Sequence, residues 1–150
     1  MNRLIALTAA PLFAVAVFSM SAHADPIADR QALMKDQGKT VGSITPIIKG
    51  EKPFDAQLVM TALKHLNEDA QKIDIATLFP KGSETGGKTT ASPKIWEDSA
   101  GFEAAMTKYK ADAAKAAAAE PKDLDSFKVV FNQVTENCGT CHKAFRIKKD

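Results

Sequence analysis

The chain has 150 residues, enough for one domain, and 45% hydrophobic with 25% charged residues is an ordinary globular balance. Its 20 Lys and Arg stand against 18 Asp and Glu, and no basic block is concentrated enough to argue for nucleic acid. Its 2 cysteines fall within one short stretch, so no disulfide framework is expected elsewhere.

The chain opens with MNRLIALTAAPLFAVAVFSMSAHA, in which Arg3 is followed by an apolar run broken by Pro11 and then by small residues. Ala22-His23-Ala24 fits the small-x-small cleavage rule, so residues 1–24 are expected to be a secretory signal peptide rather than a membrane anchor. Residues 25–150 are then the mature domain, placed in the periplasm or outside the cell. No later stretch is long and apolar enough to span a bilayer.

Apolar residues in the mature chain recur with the helical period, and period-two runs of Val and Ile are absent. A first helix is predicted over 26–49, where Ile27, Met34, Val41 and Ile48 fall seven apart. Pro26 suits its first turn, Pro46 kinks it and Gly50 stops it. A second helix is predicted over 54–78 on Val59, Leu63, Leu66, Ala70 and Ile73. A long connection, 79–93, holds Gly82, Gly86 and Gly87 as turn formers and has no phosphate-binding pattern. A third helix is predicted over 94–118 on Ile95, Phe102, Met106, Tyr109 and Ala113. The fourth, 122–148, carries Leu124, Phe127, Phe131, Val134, Cys138, Cys141 and Phe145 at alternating steps of three and four. Two of the three connections are short, which favours antiparallel neighbours. The fold class expected is all-α, an antiparallel up-down-up-down four-helix bundle.

Near the end of the fourth helix stands Cys138-Gly-Thr-Cys141-His142. A thioredoxin-type pair belongs at a helix N-terminus in an α/β fold, and these cysteines lie at the opposite end of a helix. A tetrahedral zinc site needs about four ligands. The mature chain offers only His65 and His142 beside the two cysteines, and Cys141 is adjacent to His142. The Cys-x-x-Cys-His spacing is the attachment signature of c-type haem. On a helix, Cys138 and Cys141 share a face and can each bond one haem vinyl group, while His142 on the same turn can reach the iron. One covalent haem c, with its iron, is the expected cofactor.

The chain also resembles the class II cytochromes c, the cytochrome c′ family with its low-spin cytochrome c-556 relatives. The stretches RQALMKDQG (30–38), TPIIKGEKPFD (45–55), LFP (78–80), SPKIW (92–96) and CGTCHKAFRIKK (138–149) carry the likeness, in order, over nearly the whole mature chain. The resemblance implies a periplasmic bacterial protein with a four-helix bundle around one haem. High-spin members carry a bulky aliphatic residue four after the arginine of the first helix. Low-spin members carry a methionine there that binds the iron, and four after Arg30 stands Met34.

Helical rise supports the same residue. Met34 and His142 each lie roughly 12 Å from the same end of an antiparallel bundle, whereas Met60 opens the second helix at the far end and Met106 misses the level by about one turn. A plain core methionine is the competing reading. The resemblance further implies that Arg30 pairs with a haem propionate and that Arg146 lies in the proximal pocket. A solvated helix charge and a helix-dipole partner are the respective alternatives. His65 is expected to be a surface histidine, with no nearby partner residue in sequence. Lys143, Lys148 and Lys149 are expected to be a solvated helix end, with steering of an acidic redox partner as the alternative.

The expected function is electron transfer through a six-coordinate His142/Met34 iron, with an unidentified redox protein as donor or acceptor. The alternative is a five-coordinate high-spin iron that binds NO or CO. A haem peroxidase needs a distal acid–base group, and the first helix has no His or Glu near Met34, so no enzyme is expected. The resemblance admits a homodimer formed through the first helices.

Overall fold

The computed structural model describes residues 25–148, so the expected signal peptide at 1–24 lies outside them, as does Lys149. Four long helices carry the fold: α1 Pro26–Ile48, α2 Ala56–Gln71, α5 Ser99–Ala118 and α6 Leu124–Phe145. The one-turn helices α3 Ile75–Leu78 and α4 Lys94–Glu97 interrupt the long connection between α2 and α5. Among the described residues no strand forms, and one isolated antiparallel bridge joins Ala91 to Arg146.

All four long helices start at an aspartate. Asp25, Asp55, Asp98 and Asp123 each accept a hydrogen bond from a backbone N–H of the first turn, which satisfies a donor with no intrahelical partner. Asp123 does so within a capping box closed by Ser126. The same chemistry corrects two predicted boundaries. The predicted 54–78 helix stops at Gln71, because Asp74 turns into extended backbone and caps α3. The predicted 94–118 helix breaks at Asp98, whose carboxylate caps α5 at Gly101. The predicted 122–148 helix ends at Phe145, because Arg146 goes extended to bridge Ala91.

α1 packs on α2, α2 on α5 and α5 on α6, whereas α1 and α6 touch much less than these three pairs. The pairing is antiparallel: Lys108 and Asp112 of α5 meet Asn137 and Gln133 of α6, and Arg30 and Asp36 of α1 meet Leu78 and His65. The core is built from the predicted stripes, with Val59, Leu63, Leu66, Ala113, Phe127 and Val134 all buried. Helix α1 departs from its stripe. Ile27, Met34, Val41 and Ile48 are only half-buried, and Arg30, Gln37 and Ile44, also seven apart, are buried instead. Part of the predicted stripe, Met34 and Val41, packs at the edge of the core and borders a cavity.

Candidate functional site

The gap between α1 and α6 holds two adjoining cavities. The outer one has a volume of about 460 Å³ and is lined by Met34, Phe79, Phe102, Met106, Cys141 and His142, among others. The inner one, about 190 Å³, is lined by Met34, Gln37, Met106, Tyr109, Cys138 and His142, among others. Four residues, Met34, Met106, Cys141 and His142, face both. Volumes of this scale, with an inner wall mainly apolar and polar groups gathered on the outer one, suit a flat organic ligand with a polar edge.

The cysteines stand on one face of α6, one turn apart, and both are half-buried free thiols. Burial raises both thiol pKa values, with Cys141 pushed up to about 11 by burial and then by Cys138. The pair is therefore kept protonated, the opposite of an activated redox pair. His142 is exposed as a whole, but its ring borders the cavities. Burial, with the Arg146 cation adding to it, holds its pKa below the ordinary imidazole value. The neutral ring, the form that can donate a lone pair to a metal, is thereby favoured.

Met34 reaches both cavities from α1, facing the helix that carries His142. The expectation that Met106 misses this level is corrected, because Met106 of α5 lines the same two cavities. Rise along ideal helices puts it a turn away, but α5 starts at Asp98 rather than at 94, which shifts the count.

The buried pair Gln37 and Tyr109 is a site feature that sequence reasoning misses. The Tyr109 hydroxyl donates to Gln37 Oε1 at 3.0 Å. Gln37 Nε2 is left buried with no hydrogen-bond partner, on the wall of the inner cavity. Burial, then the charges of Cys138 and Asp69, raises the Tyr109 pKa, so the phenol stays a donor. The available signal is the seven-residue register Arg30, Gln37, Ile44, which places a polar side chain on a buried line.

Arg30 is buried, and its guanidinium is engaged by the long connection. Nη1 donates to Leu78 O at 3.1 Å and Ser83 Oγ at 2.9 Å, and Nη2 donates to Ser83 O at 2.7 Å and Thr89 Oγ1 at 2.8 Å. The group also lies over the Phe79 ring at 5.1 Å and the Trp96 ring at 5.9 Å. Burial lowers its pKa, against the attraction of Asp25 and Glu84. The expectation of a propionate partner thus meets a cation that already has four protein acceptors, although Arg30 does border the outer cavity. Arg146 borders it as well, exposed, with its Nε donating to Thr90 Oγ1 at 3.4 Å. Ser92 N donates to Phe145 O at 2.9 Å and Ile147 N to Thr90 O at 2.8 Å, tying the long connection to the end of α6.

The lining of the outer cavity includes Arg30, Lys35, Lys88 and Arg146 and no acidic residue. A planar apolar group with carboxylates at its edge fits that combination, and an orphaned buried donor on the inner wall marks a space built to be filled. The residues present therefore fit a haem c group.

The family model described as Cytochrome C′ matches residues 25–146. The chain is 42% identical over 128 residues to the cytochrome c′ of Rhodopseudomonas palustris, covering 85% of this chain and 86% of that protein. It is 35% identical over 147 residues to the cytochrome c-556 of Agrobacterium fabrum, covering 98% of each. The solved structure of cytochrome c′ from Rhodopseudomonas palustris superposes with a TM-score of 0.78 at 40% identity, covering 85% of this chain and all of that one.

Proposed function

Because the chain belongs to the cytochrome c′ family, a family of haem proteins with covalent haem c, we propose that it is a periplasmic monohaem electron carrier with a six-coordinate His142/Met34 iron. In this reading residues 1–24 direct export and residues 25–150 are the functional domain. Cys138 and Cys141 would hold the haem covalently, each by addition of its S–H across one vinyl double bond, the sulfur on one carbon and the hydrogen on the other. His142 and Met34 would supply the two protein ligands to its iron. Lys35, Lys88 and Arg146 face the carboxylates at the haem edge. Arg30 holds the loop that closes over that edge. The bound iron supplies a one-electron couple, and thioether ligation raises its potential.

The chain's own groups make this couple usable. Two anchors and one ligand from a single turn of α6 fix the proximal side without help from other helices. The apolar walls of Phe79, Phe102 and Phe145 keep water from it. With the Met34 thioether as a ligand, no position at the iron would be left open, and exchange of an electron would require little rearrangement. The observation that carries this reading is Met34 facing the cavities from the helix opposite His142.

A second reading rests on the relative named cytochrome c′ at 42% identity. A structure of a ferrous variant of cytochrome c prime from Alcaligenes xylosoxidans with bound NO superposes at 29% identity with a TM-score of 0.73. By that likeness the iron is five-coordinate and binds NO or CO, with Met34 only packing. The optical spectrum of the reduced holoprotein decides. Sharp, split α and β bands with slow or no CO binding support the His/Met carrier. A broad high-spin band with rapid CO binding overturns it.

A further inference from the structure

A second group of potential ligands lies outside these cavities, on the outer side of α1 and α2. His65 and Asp69 stand four apart on α2, so they share a face, and Asp36 of α1 meets them. The expectation that His65 has no nearby partner residue in sequence is therefore corrected by Asp69, four residues on. His65 Nε2 lies 3.1 Å from Asp36 Oδ2 and 3.3 Å from Asp69 Oδ2. The three ligand atoms all fall within 4.8 Å of one another.

Asp69 is the telling member. It is fully buried, at 0% exposure. Its Oδ1 accepts from Lys72 Nζ at 2.8 Å. Its Oδ2 is buried and has no hydrogen-bond partner, although it faces the imidazole. A buried carboxylate oxygen without a donor is costly, and a cation is the group that would satisfy it. The one nitrogen-bound proton of His65 cannot serve two carboxylates well, and its aligned bond goes to Asp36.

The spacing favours a small divalent ion. Ligand atoms each about 2.0–2.1 Å from a tetrahedral zinc stand about 3.3–3.4 Å apart, close to the two imidazole–carboxylate separations here. Two carboxylates against the single Lys72 ammonium leave net negative charge. Lys72 also holds Asp69 by one oxygen, leaving the other aimed at the centre of the group. Asp36 and His65 are partly exposed, which gives an ion a way in and a position for water as fourth ligand.

We propose that Asp36, His65 and Asp69 form a binding site for a divalent transition cation of the zinc type, stapling α1 to α2. The ion replaces the Nε2 proton of His65 and takes one oxygen from each carboxylate. This site does not depend on the haem reading.

The test is titration of the holoprotein with zinc chloride, followed by calorimetry and by thermal unfolding. One zinc per chain is expected, with an upward shift of the unfolding midpoint and an unchanged haem spectrum. His65→Ala and Asp36→Asn, both at partly exposed positions, are expected to fold, to lose at least tenfold in zinc affinity and to abolish the midpoint shift. Asp69→Asn is a supplementary variant, because a buried change there can lower stability by itself. Absence of saturable binding at one zinc per chain overturns the proposal. So does binding of the same affinity in His65→Ala.

Discussion

The hydroxyl of Tyr109 donates to Gln37 Oε1 across 3.0 Å and so joins α5 to α1 over the inner cavity. Both residues are buried, and the remaining Gln37 donor has no partner among the described residues. Tyr109→Phe removes the donor and leaves the Gln37 amide buried with neither end satisfied. A loss of about 1–2 kcal/mol is expected in urea unfolding of the holoprotein. Adding Gln37→Leu should return much of that loss, because two apolar partners leave nothing unsatisfied. A double variant less stable than the sum of the two single changes would show that the pair does not interact as its geometry indicates.

Arg30 is the second buried polar anchor, and it acts on the long connection. Its fork spans Leu78, Ser83 and Thr89, so one side chain orders the segment that folds across the start of α1. The same segment uses Gly86 and Gly87 at φ of +101° and +55°, and a Cβ at Gly87 would meet Ile27 at 3.4 Å. Arg30→Leu takes a donor from two carbonyls and two hydroxyls, of which the hydroxyls keep Pro80 O and Ala91 N as partners, and should cost about 3 kcal/mol. Arg30→Lys should rescue little, since a single ammonium cannot reach a fork of four acceptors. Urea unfolding measures the first effect, and faster proteolysis within residues 79–93 reports loosening of the loop. Stability within about 0.5 kcal/mol of the parent chain, the range of an ordinary surface change, would remove Arg30 from this role.

Period and capping chemistry make most of the bundle legible. The α6 stripe from Leu124 to Phe145 is a strict three-four alternation, and the helix follows it to its last residue. Boundaries are less legible where an aspartate competes with the helix. Asp74 and Asp98 sit inside stretches with good apolar period, yet their carboxylates cap a new start one turn later. Cys138, Cys141 and His142, the anchors proposed above, are readable because their spacing is local. Gln37–Tyr109 and Asp36–His65–Asp69 are not, because each unites residues from two helices whose relative rotation the sequence does not state. Met106 escapes the sequence for a related reason, as rise along one helix says little about the offset between helices.

Met34 and Met106 face the same cavities, so their roles separate only by substitution. Met34→Leu keeps volume and removes the thioether, and Met106→Leu does the same on α5. In the reading proposed above, the reduced spectrum of Met34→Leu turns broad and high-spin, CO binds, and the reduction potential falls with loss of the thioether ligand. Met106→Leu leaves the sharp bands in place. Spectra and potentiometry of the two variants give the answer side by side. The reverse pattern, with Met106→Leu losing the bands, would transfer the ligand role to α5.

Acid should weaken the contact of α5 with α6 through Asp112. This carboxylate accepts from Lys108 Nζ at 2.6 Å, from Asn137 Nδ2 at 2.9 Å and from Gln133 Nε2 at 3.2 Å. The Lys108 bond, then the Asn137 bond, holds its pKa below the usual 3.8. The folded form therefore binds the proton less readily than the unfolded chain does. The stabilisation is complete above the unfolded value, erodes as pH falls through it, and is gone once pH is below the folded value. Asp112→Asn should cost about 1–3 kcal/mol at pH 7, because it removes the charge facing Lys108 and leaves one acceptor oxygen for three donors, with an NH2 in place of the other. That difference from the parent chain should shrink steadily below about pH 4, as protonation makes the two proteins alike. Urea unfolding at pH 7, 5 and 3 measures it, and a gap of constant size across all three would assign the acid sensitivity to another group. Asn137 precedes Cys138 on α6, so loss of this network loosens the helix at the first of the two thiols.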